Sequence, residues 1–232
     1  MEASRNRAFF ICVEGIDGSG KSTQIEYLRE HFESRGLQVA CFREPGGSQI
    51  GEAIRTLLKR DWHSTGVDLC PESEFLLFSA SRAQFCREVL APAMADNDLV
   101  ICDRYYPSSL AYQGFGRNLD RQMIESITRF AIAEFEADCY VYLDLDFRAA
   151  RERMLSTRSA AEDRFDWETE AFWTRVLSGY RAFFRTPELM KRTIWIDAAA
   201  DALSVRREIL LALDRRLDEA EDAGQSRLCD KE

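Results

Sequence analysis

The sequence predicts a single α/β domain in which five parallel strands form a sheet covered by helices on both faces. Two observations support this fold class. Five apolar runs of four to six residues alternate with longer segments whose apolar residues recur three and four positions apart. A glycine-rich turn directly follows the first run. Strands that alternate with helices pair in parallel, because each connecting helix returns the chain to the same edge of the sheet.

In the first half of the chain, this alternation predicts three strands and three helices. The strands are Phe9–Glu14, Leu37–Phe42 and Leu99–Cys102. The helices are Ser22–Arg35, Ser48–Arg60 and Pro71–Met94. Gly36 is a suitable residue to end the first helix, and Pro71 is a suitable residue to begin the third.

The second half of the chain continues the pattern. Strands are predicted at Tyr140–Leu145 and Thr193–Ile196. Helices are predicted at Leu119–Glu136, Phe147–Ser156, Glu168–Phe184 and Ala202–Leu217. Residues 1–8 are polar and lack an apolar signal-peptide core, so we expect a flexible N-terminus. Residues 218–232 are acidic and without periodicity, so we expect a disordered tail and a domain that spans residues 9–217.

Charge and composition exclude several classes of function. The formal net charge is −9, which argues against non-specific binding to nucleic acid. His31 and His63 are the only histidines and lie far apart, so a histidine-based zinc site is not expected. The 27 arginines outnumber the four lysines. Coding bias explains such an excess, and so does planar recognition of phosphate.

The cysteines and the hydropathy pattern indicate a compartment. The chain has seven cysteines and no C-x-x-C pair, and Cys12, Cys41, Cys102 and Cys139 lie in or beside predicted strands. We therefore expect buried free thiols in a reducing compartment. No apolar run has 18 residues, so no membrane span is expected. These features predict a cytoplasmic protein.

The turn after the first strand carries a phosphate-binding motif. Residues 15–23, GIDGSGKST, match G-x-x-x-x-G-K-[ST] and lie between a predicted strand and a predicted helix, as in P-loop NTPases. The backbone N–H groups of such a loop surround phosphates, and the helix N-terminus adds partial positive charge. Lys21 can reach the β- and γ-phosphates, and the Ser22 hydroxyl can bind Mg²⁺. The predicted ATP-binding residues are Gly15, Gly18, Ser19, Gly20, Lys21, Ser22 and Thr23.

Three later segments contain residues that suit a phosphate acceptor. Arg43–Gly47 follows the second strand, Phe78–Arg82 lies on the third helix, and Asp103–Tyr105 follows the third strand. Phe78 and Arg82 are four residues apart and share a helix face. Ligands of open parallel sheets bind at the carboxyl ends of the strands, so these segments can converge on one site.

Together, these segments resemble thymidylate kinases of the type common in bacteria. The similarity runs from Phe9 to Leu217 and includes, in order, FFICVEGIDGSGKST, FREPGGSQIGEAIR, LLFSASRAQ, ICDRYYPSSLAYQG, YVYLDLD and WIDA. The resemblance implies transfer of the γ-phosphoryl group from ATP to dTMP, giving dTDP for dTTP synthesis, with Mg²⁺. It also implies a homodimer, although Phe85, Phe130 and Phe135 suit either the core or an interface.

The resemblance also implies residues that bind the nucleoside of dTMP. Phe78 would stack on the thymine ring, and Arg82 would donate to thymine O4, which rejects cytosine. Ser109 and Gln113 would bond the base edge, and Tyr112 would crowd the 2′ position of the sugar. Ordinary core or helix packing, or for Arg82 a surface position, is the alternative reading of these residues.

Further residues are implied at the phosphates. Asp17 would bind the sugar 3′-OH or help to place Mg²⁺, and Asp103 would assist the metal and the acceptor phosphate. Arg43 and Arg104 would hold the dTMP phosphate. Arg55 is an additional candidate for that role and is equally consistent with a solvated helix position. The predicted catalytic residues include Lys21, Asp17 and Arg104, and the predicted metal ligands are Ser22 and Asp103.

Residues 156–167 are predicted to form a mobile lid, because they are mostly small and polar and lie between two helices. Some thymidylate kinases carry an arginine inside the phosphate loop and others carry it in the lid. Gly18 occupies the loop position here, so the resemblance assigns a catalytic role to Arg158 and Arg164, with Arg153 in reserve. A surface position is the alternative for each arginine.

Two other functions remain open at this stage. Another nucleoside or nucleoside-monophosphate kinase would share the phosphate loop, although Arg43 and Arg104 suit an acceptor that already carries a phosphate. A nucleotide-regulated switch without turnover would also share the loop, although it would not need the base-binding residues.

Overall fold

The predicted parallel sheet is present in the structure. The computed structural model describes residues 7–62, 65–157 and 164–222. Its strands are β1 (Phe9–Glu14), β2 (Val39–Arg43), β3 (Leu99–Asp103), β4 (Cys139–Asp144) and β5 (Thr193–Asp197). They form a sheet in the order β2-β3-β1-β4-β5, and every neighbouring pair is parallel. This result confirms the predicted fold class.

The central strand is covered on both faces. Successive side chains of a strand point to opposite faces of the sheet. All six residues of β1 are buried, so both faces of this strand are covered. The register brings the carboxyl ends of three strands together, because Asp103 is paired with Val13 on one side and with Arg43 on the other. The residues that follow β1, β2 and β3 therefore meet at one edge of the sheet.

The helices agree closely with the predicted segments. The first five are α1 (Lys21–Ser34), α2 (Gln49–Lys59), α3 (Pro71–Phe85), α4 (Ala91–Asp96) and α5 (Tyr106–Ser109). The others are α6 (Arg121–Ile132), α7 (Phe147–Thr157), α8 (Glu170–Phe184), α9 (Pro187–Met190) and α10 (Ala202–Asp222). A π-helical segment, Cys86–Leu90, joins α3 to α4, so the predicted long helix is continuous to Asp96. A 3₁₀ turn spans Arg164–Trp167.

Besides the 3₁₀ turn, three short helical segments were not predicted, namely α5, α9 and a π-helical segment that follows α5. After α5, the chain continues as a π-helical segment over Leu110–Gly116. Six of its seven residues are buried, so it lacks the alternation of apolar and polar residues by which a helix is recognised in a sequence.

Three helices begin later than predicted because a side chain caps them. Ser48 accepts a hydrogen bond from the backbone N–H of Gly51 (2.9 Å) and precedes α2. Asp120 and Thr169 act in the same way before α6 and α8. Each capping residue lies just outside its helix and satisfies an N–H group that has no partner within the helix.

The ends of the described chain differ from the prediction. Ala8 is buried, and its N–H donates to the carbonyl oxygen of Met94 (2.9 Å), so the predicted flexibility is wrong for residues 7–8. Arg7 also pairs with Asp138. Helix α10 continues to Asp222, so the predicted disordered tail is wrong for residues 218–222. Residues 1–6 and 223–232 lie outside the described residues.

The described cysteines are free thiols. Cys12, Cys86, Cys102 and Cys139 are buried, whereas Cys41 is exposed, contrary to the expectation, because β2 is an edge strand. Cys70 is also exposed, and Cys229 lies outside the described residues. Within the part of the chain that the structure describes, no helix combines the length and the apolar character needed to cross a bilayer.

Candidate active site

A cleft of about 720 Å³ lies at the carboxyl ends of the strands. Its volume is in the range of small-molecule sites. It brings together the phosphate loop and side chains that follow β2 and β3. The predicted residues that line it are Asp17, Gly18, Ser19, Gly20, Lys21, Ser22, Thr23, Arg43, Arg55, Phe78, Asp103, Arg104, Ser109, Tyr112, Gln113 and Arg153. The cleft lining does not include Gly15 or Arg82, which lie behind it.

The phosphate loop takes a conformation that favours glycine. Gly15, Gly18 and Gly20 have φ angles of 144°, 81° and 97°, in a region that L residues rarely adopt. Gly20 directly precedes α1, and within the described residues no side chain caps this helix. The first N–H groups of α1 are therefore available to an anion in the cleft.

Two of these glycines are also required by close packing. A Cβ atom on Gly15 would lie 2.7 Å from the carbonyl oxygen of Leu143. A Cβ atom on Gly18 would lie 2.3 Å from the carbonyl oxygen of Ala150, in α7. Position 18 therefore cannot hold an arginine unless α7 moves.

Lys21 is the cation of the phosphate loop. It is only 6% exposed, and its Nζ donates to the carbonyl oxygen of Ile16 (3.1 Å). Nζ also lies 3.8 Å from Oδ1 of Asp17. Burial lowers the pKa of Lys21, and the positive charge of Arg104 lowers it further. A phosphate bound in the loop would therefore relieve a cation that is poorly solvated.

Asp103 and Ser22 have the donor atoms of a small magnesium site. The Ser22 hydroxyl donates to Oδ2 of Asp103 (3.5 Å). Oδ1 of Asp103 is buried and has no hydrogen-bond partner among the described residues. No group of three His, Cys, Asp or Glu side chains in the described ranges could hold a metal. A hydroxyl and one carboxylate fit Mg²⁺, which takes most of its other ligands from phosphates and water in such sites.

Arg104 is held in place by four side chains. Its Nη2 donates to Oδ1 of Asp17 (2.9 Å) and to the Tyr112 hydroxyl (3.2 Å). Its Nη1 donates to the hydroxyls of Tyr180 (3.0 Å) and Ser108 (3.2 Å). The residue itself has a φ of 68°, a strained conformation for arginine. This network orients the guanidinium group before any ligand is bound.

Glu14 supports this network from the core. It is fully buried, and its Oε2 accepts hydrogen bonds from Ser108 (2.7 Å) and Tyr180 (2.9 Å), while its Oε1 accepts one from the N–H of Tyr105 (2.8 Å). Burial raises the pKa of Glu14, and Arg104 opposes that shift. Sequence reasoning assigned no role to Glu14 or Tyr180. The available signal was a carboxylate at the end of an otherwise apolar strand.

Arg43 and Arg55 line the side of the cleft near β2. Nη2 of Arg43 lies 3.5 Å from Oε2 of Glu52, and this arginine is exposed. Nη1 of Arg55 donates to the carbonyl oxygen of Pro45 (2.7 Å). These two of the three arginines predicted to bind the acceptor phosphate are therefore at the cleft, and Arg55 is held against the loop that follows β2.

The residues predicted to bind the base occupy two layers. Half-buried Phe78 lines the cleft, as do Ser109, Tyr112 and Gln113. Arg82 is 2% exposed and lies in a second layer, where Nε donates to Oε2 of Glu44 (2.7 Å) and Nη1 donates to the Ser109 hydroxyl (3.1 Å). Arg82 is therefore linked to the cleft lining through Ser109, and its direct contact with a base stays a prediction.

The predicted lid is only partly described. Arg158 lies outside the described residues, and for Arg164 the structure describes only the backbone, which begins the 3₁₀ turn. Arg153 donates to the carbonyl oxygens of Ala198 (2.8 Å) and Ala199 (3.1 Å), so it joins α7 to the loop between β5 and α10. Phe165 lines the cleft with its ring 5.4 Å from that of Tyr112.

Comparison with known proteins gives a consistent result. A family model described as thymidylate kinase matches residues 13–209. A thymidylate kinase of Pelotomaculum thermopropionicum is 42% identical over 210 residues, which cover 90% of this chain and 94% of the relative. A thymidylate kinase of Prosthecochloris aestuarii is 41% identical over 207 residues, with coverages of 86% and 90%. The crystal structure of thymidylate kinase from Ehrlichia chaffeensis superposes with a TM-score of 0.69 at 28% identity and covers 89% of this chain and 98% of its own.

Proposed function

The chain belongs to the thymidylate kinase family, and from this we propose that it transfers the γ-phosphoryl group of ATP to dTMP, with ADP and dTDP as products. The observation that carries the proposal is the shared cleft. Its lining includes the phosphate loop, the side chains of Phe78, Ser109 and Gln113, and Arg104, which is bonded to Asp17 of the loop. Such a cleft can hold two phosphorylated molecules in contact.

We propose that the phosphate loop binds the donor. The N–H groups at the start of α1 and the Lys21 ammonium group would bind the β- and γ-phosphates of ATP. Asp17 pairs with Arg104 and lies near Lys21, so it partly neutralises both cations before phosphates arrive. Phosphate oxygens would then compete with Asp17 for both groups.

The acceptor would bind on the side of β2 and β3. Arg104 would hold the dTMP phosphate, and Arg43 and Arg55 are placed to add charge. Phe78 offers a ring face on which thymine can stack. Ser109 and Gln113 would bond the base edge, and Tyr112 would pack against the sugar, while Arg82 would act through Ser109.

The reaction requires positioning and charge neutralisation more than acid–base chemistry. An oxygen of the dTMP phosphate attacks the γ-phosphorus, and the bond to the β–γ bridging oxygen breaks, which leaves ADP. The attacking oxygen is already an anion, so no general base is needed. Lys21 and Arg104 would counter the repulsion between the two anionic reactants.

Two further components belong to the proposal. Mg²⁺ would neutralise phosphate charge during the transfer, with the Ser22 hydroxyl and the Asp103 carboxylate as its protein ligands. Arg158 and Arg164 of the lid, residues 156–167, would supply cations at the moving phosphoryl group, with Arg153 in reserve. Closure of such a lid would exclude water and limit hydrolysis of ATP.

A panel of acceptors tests the proposal. With ATP and Mg²⁺, ADP release would be measured for dTMP, dUMP, dCMP and thymidine. We expect dTMP to give the highest kcat/KM. Thymidine as the best acceptor would indicate a nucleoside kinase. The absence of acceptor-dependent ADP release would indicate a nucleotide-binding protein without this activity.

We further propose that the protein is a cytoplasmic homodimer. Large apolar side chains are exposed on α2 (Leu57), α3 (Leu76) and α6 (Met123 and Phe130), three helices of which α3 packs against both α2 and α6. Phe130 is 77% exposed, whereas Phe85 is fully buried in the core. The variant Phe130→Glu should shift the mass in light scattering towards a monomer. An unchanged dimer would exclude a dimer interface at Phe130.

A further inference from the structure

Gln113 has a buried partner that the mechanism above does not use. Nε2 of Gln113 donates to Oε1 of Glu74 at 2.6 Å, and the two residues are 39 positions apart in the sequence. Glu74 lies in the first turn of α3, is fully buried and is not part of the cleft lining. Gln113 itself is 1% exposed and does line the cleft. A buried carboxylate thus contacts a predicted base-binding side chain from behind.

Arg117 forms an ion pair with this carboxylate and holds it in place. Its Nη2 lies 3.1 Å from Oε2 of Glu74, and its Nε donates to the same oxygen (3.2 Å). The Arg117 guanidinium also packs over the ring of Phe172 at 4.7 Å and pairs with Glu168. An ionised carboxylate only accepts hydrogen bonds, so the atom of Gln113 that faces Glu74 has to be the amide nitrogen.

We propose that Glu74 fixes the orientation of the Gln113 amide and thereby makes the site select thymine or uracil over cytosine. The proposal rests on the function proposed above. A carboxamide can pair with either pyrimidine, depending on its orientation. Thymine offers a ring N–H between two carbonyl groups, which a carboxamide matches when its oxygen meets N3–H. Cytosine offers an acceptor at N3 and an amino donor, which the same amide matches only after a rotation by 180°.

Glu74 makes that rotation unfavourable. The rotated amide would bring its oxygen to the position now held by Nε2, 2.6 Å from a carboxylate oxygen, and two acceptors would then face each other without a proton. Gln113 is buried, so water cannot replace the lost hydrogen bond. Glu74 is therefore a positioning residue for base selection, and it need not contact the substrate.

The test is the ratio of kcat/KM for dTMP to that for dCMP in Glu74→Gln. Glutamine has the same shape but can donate or accept, so both orientations of the Gln113 amide become possible. We expect the ratio to fall by about tenfold or more, because a buried polar contact of this kind contributes strongly to discrimination. The KM for ATP should not change. A purely structural defect would lower turnover of both acceptors alike and leave the ratio unchanged.

Glu168→Gln is the matched control. It removes the other carboxylate partner of Arg117 and the same unit of charge but does not contact Gln113, so the ratio should stay at the wild-type value. If Glu74→Gln does not fold, Glu74→Asp can be used instead. Aspartate retains the charge, but its carboxylate lies one methylene group further from Gln113. The ratio of kcat/KM for dTMP to that for dCMP should then fall by a smaller factor.

The outcomes separate this proposal from the function on which it rests. An active wild type with an unchanged ratio in the folded Glu74 variant would overturn the role of Glu74 and leave the kinase activity standing. A wild type that does not phosphorylate dTMP would overturn both.

Discussion

The proposed phosphate loop, residues 15–23, and the proposed base pocket, formed by Phe78, Ser109, Tyr112 and Gln113, are built in different ways. The loop is one continuous segment whose geometry is set by its own glycines and by short-range bonds such as that from Lys21 to Ile16. The proposed base pocket combines two segments that are far apart in the sequence. The buried Glu74 carboxylate contacts Gln113 from behind, and Glu44 contacts Arg82, which in turn donates to Ser109. The loop can therefore be recognised from a short motif, whereas the pocket depends on the whole fold.

This difference also separates activity from stability. Glu44 and Glu74 are buried, and each is paired with an arginine that is mostly buried as well. Removal of one partner from such a pair leaves an uncompensated charge in the core. Substitutions in the loop should therefore reduce catalysis alone, whereas substitutions behind the base pocket should reduce stability as well.

The largest expected effect on catalysis is that of Lys21→Ala. It removes the cation of the phosphate loop, and kcat should fall by about 10³-fold or more, because such a group acts on charge that moves in the transition state. The unfolding midpoint in denaturant should stay the same or rise, since burial already disfavours the charged lysine. Lys191→Ala, at an exposed position, is the control. A marked loss of stability in Lys21→Ala would contradict the expectation that substitutions in the loop reduce catalysis alone.

Arg82→Met tests whether a substitution behind the base pocket reduces stability. It leaves the Glu44 carboxylate buried without its arginine, so stability should fall by about 3–5 kcal/mol in urea unfolding, and Glu44→Gln in the same chain should restore part of that loss. Burial raises the pKa of Glu44, so the native state binds a proton at a pH where the unfolded chain has lost it. The stability lost in Arg82→Met should therefore be larger at pH 8 than at pH 6. Equal losses at both pH values would show that Glu44 does not carry the effect.

The sequence was sufficient to predict the sheet, and the proposed phosphate loop could be recognised from it, because both leave local patterns. The five strands are continuous apolar runs, and the loop is a motif with fixed spacing. The segment Leu110–Gly116 could not be predicted, since a buried helical segment has no polar face. Arg82 was singled out from the sequence, but the contact that holds it behind the cleft could not be foreseen, because the carboxylate comes from Glu44, 38 positions away. Glu74 likewise shows no local sign of the role proposed for it.

Arg104→Lys should give an intermediate effect. Lysine keeps the charge but cannot bond to Asp17, Tyr112, Tyr180 and Ser108 from one rigid planar group. We expect kcat/KM for dTMP to fall by about 10²-fold, while the affinity for ATP, measured by calorimetry, stays unchanged. Arg148→Lys, an exposed arginine that pairs with Glu170, should behave as the wild type. An equal loss of ATP affinity would indicate that Arg104 serves both ends of the cleft.

The smallest expected effect is that of Tyr112→Phe, which separates the contribution of the hydroxyl from that of the ring. This variant keeps the buried ring, which contacts Phe165 and Tyr180, and removes only the hydroxyl that accepts a bond from Arg104 (3.2 Å). Since Arg104 retains its other partners, kcat/KM for dTMP should fall by only about three- to tenfold. The preference for dTMP over the ribonucleotide should persist, because the ring would exclude the 2′-hydroxyl. Tyr27→Phe, outside the cleft, is the control. A loss of this preference would show that the hydroxyl, rather than the ring, distinguishes the sugars.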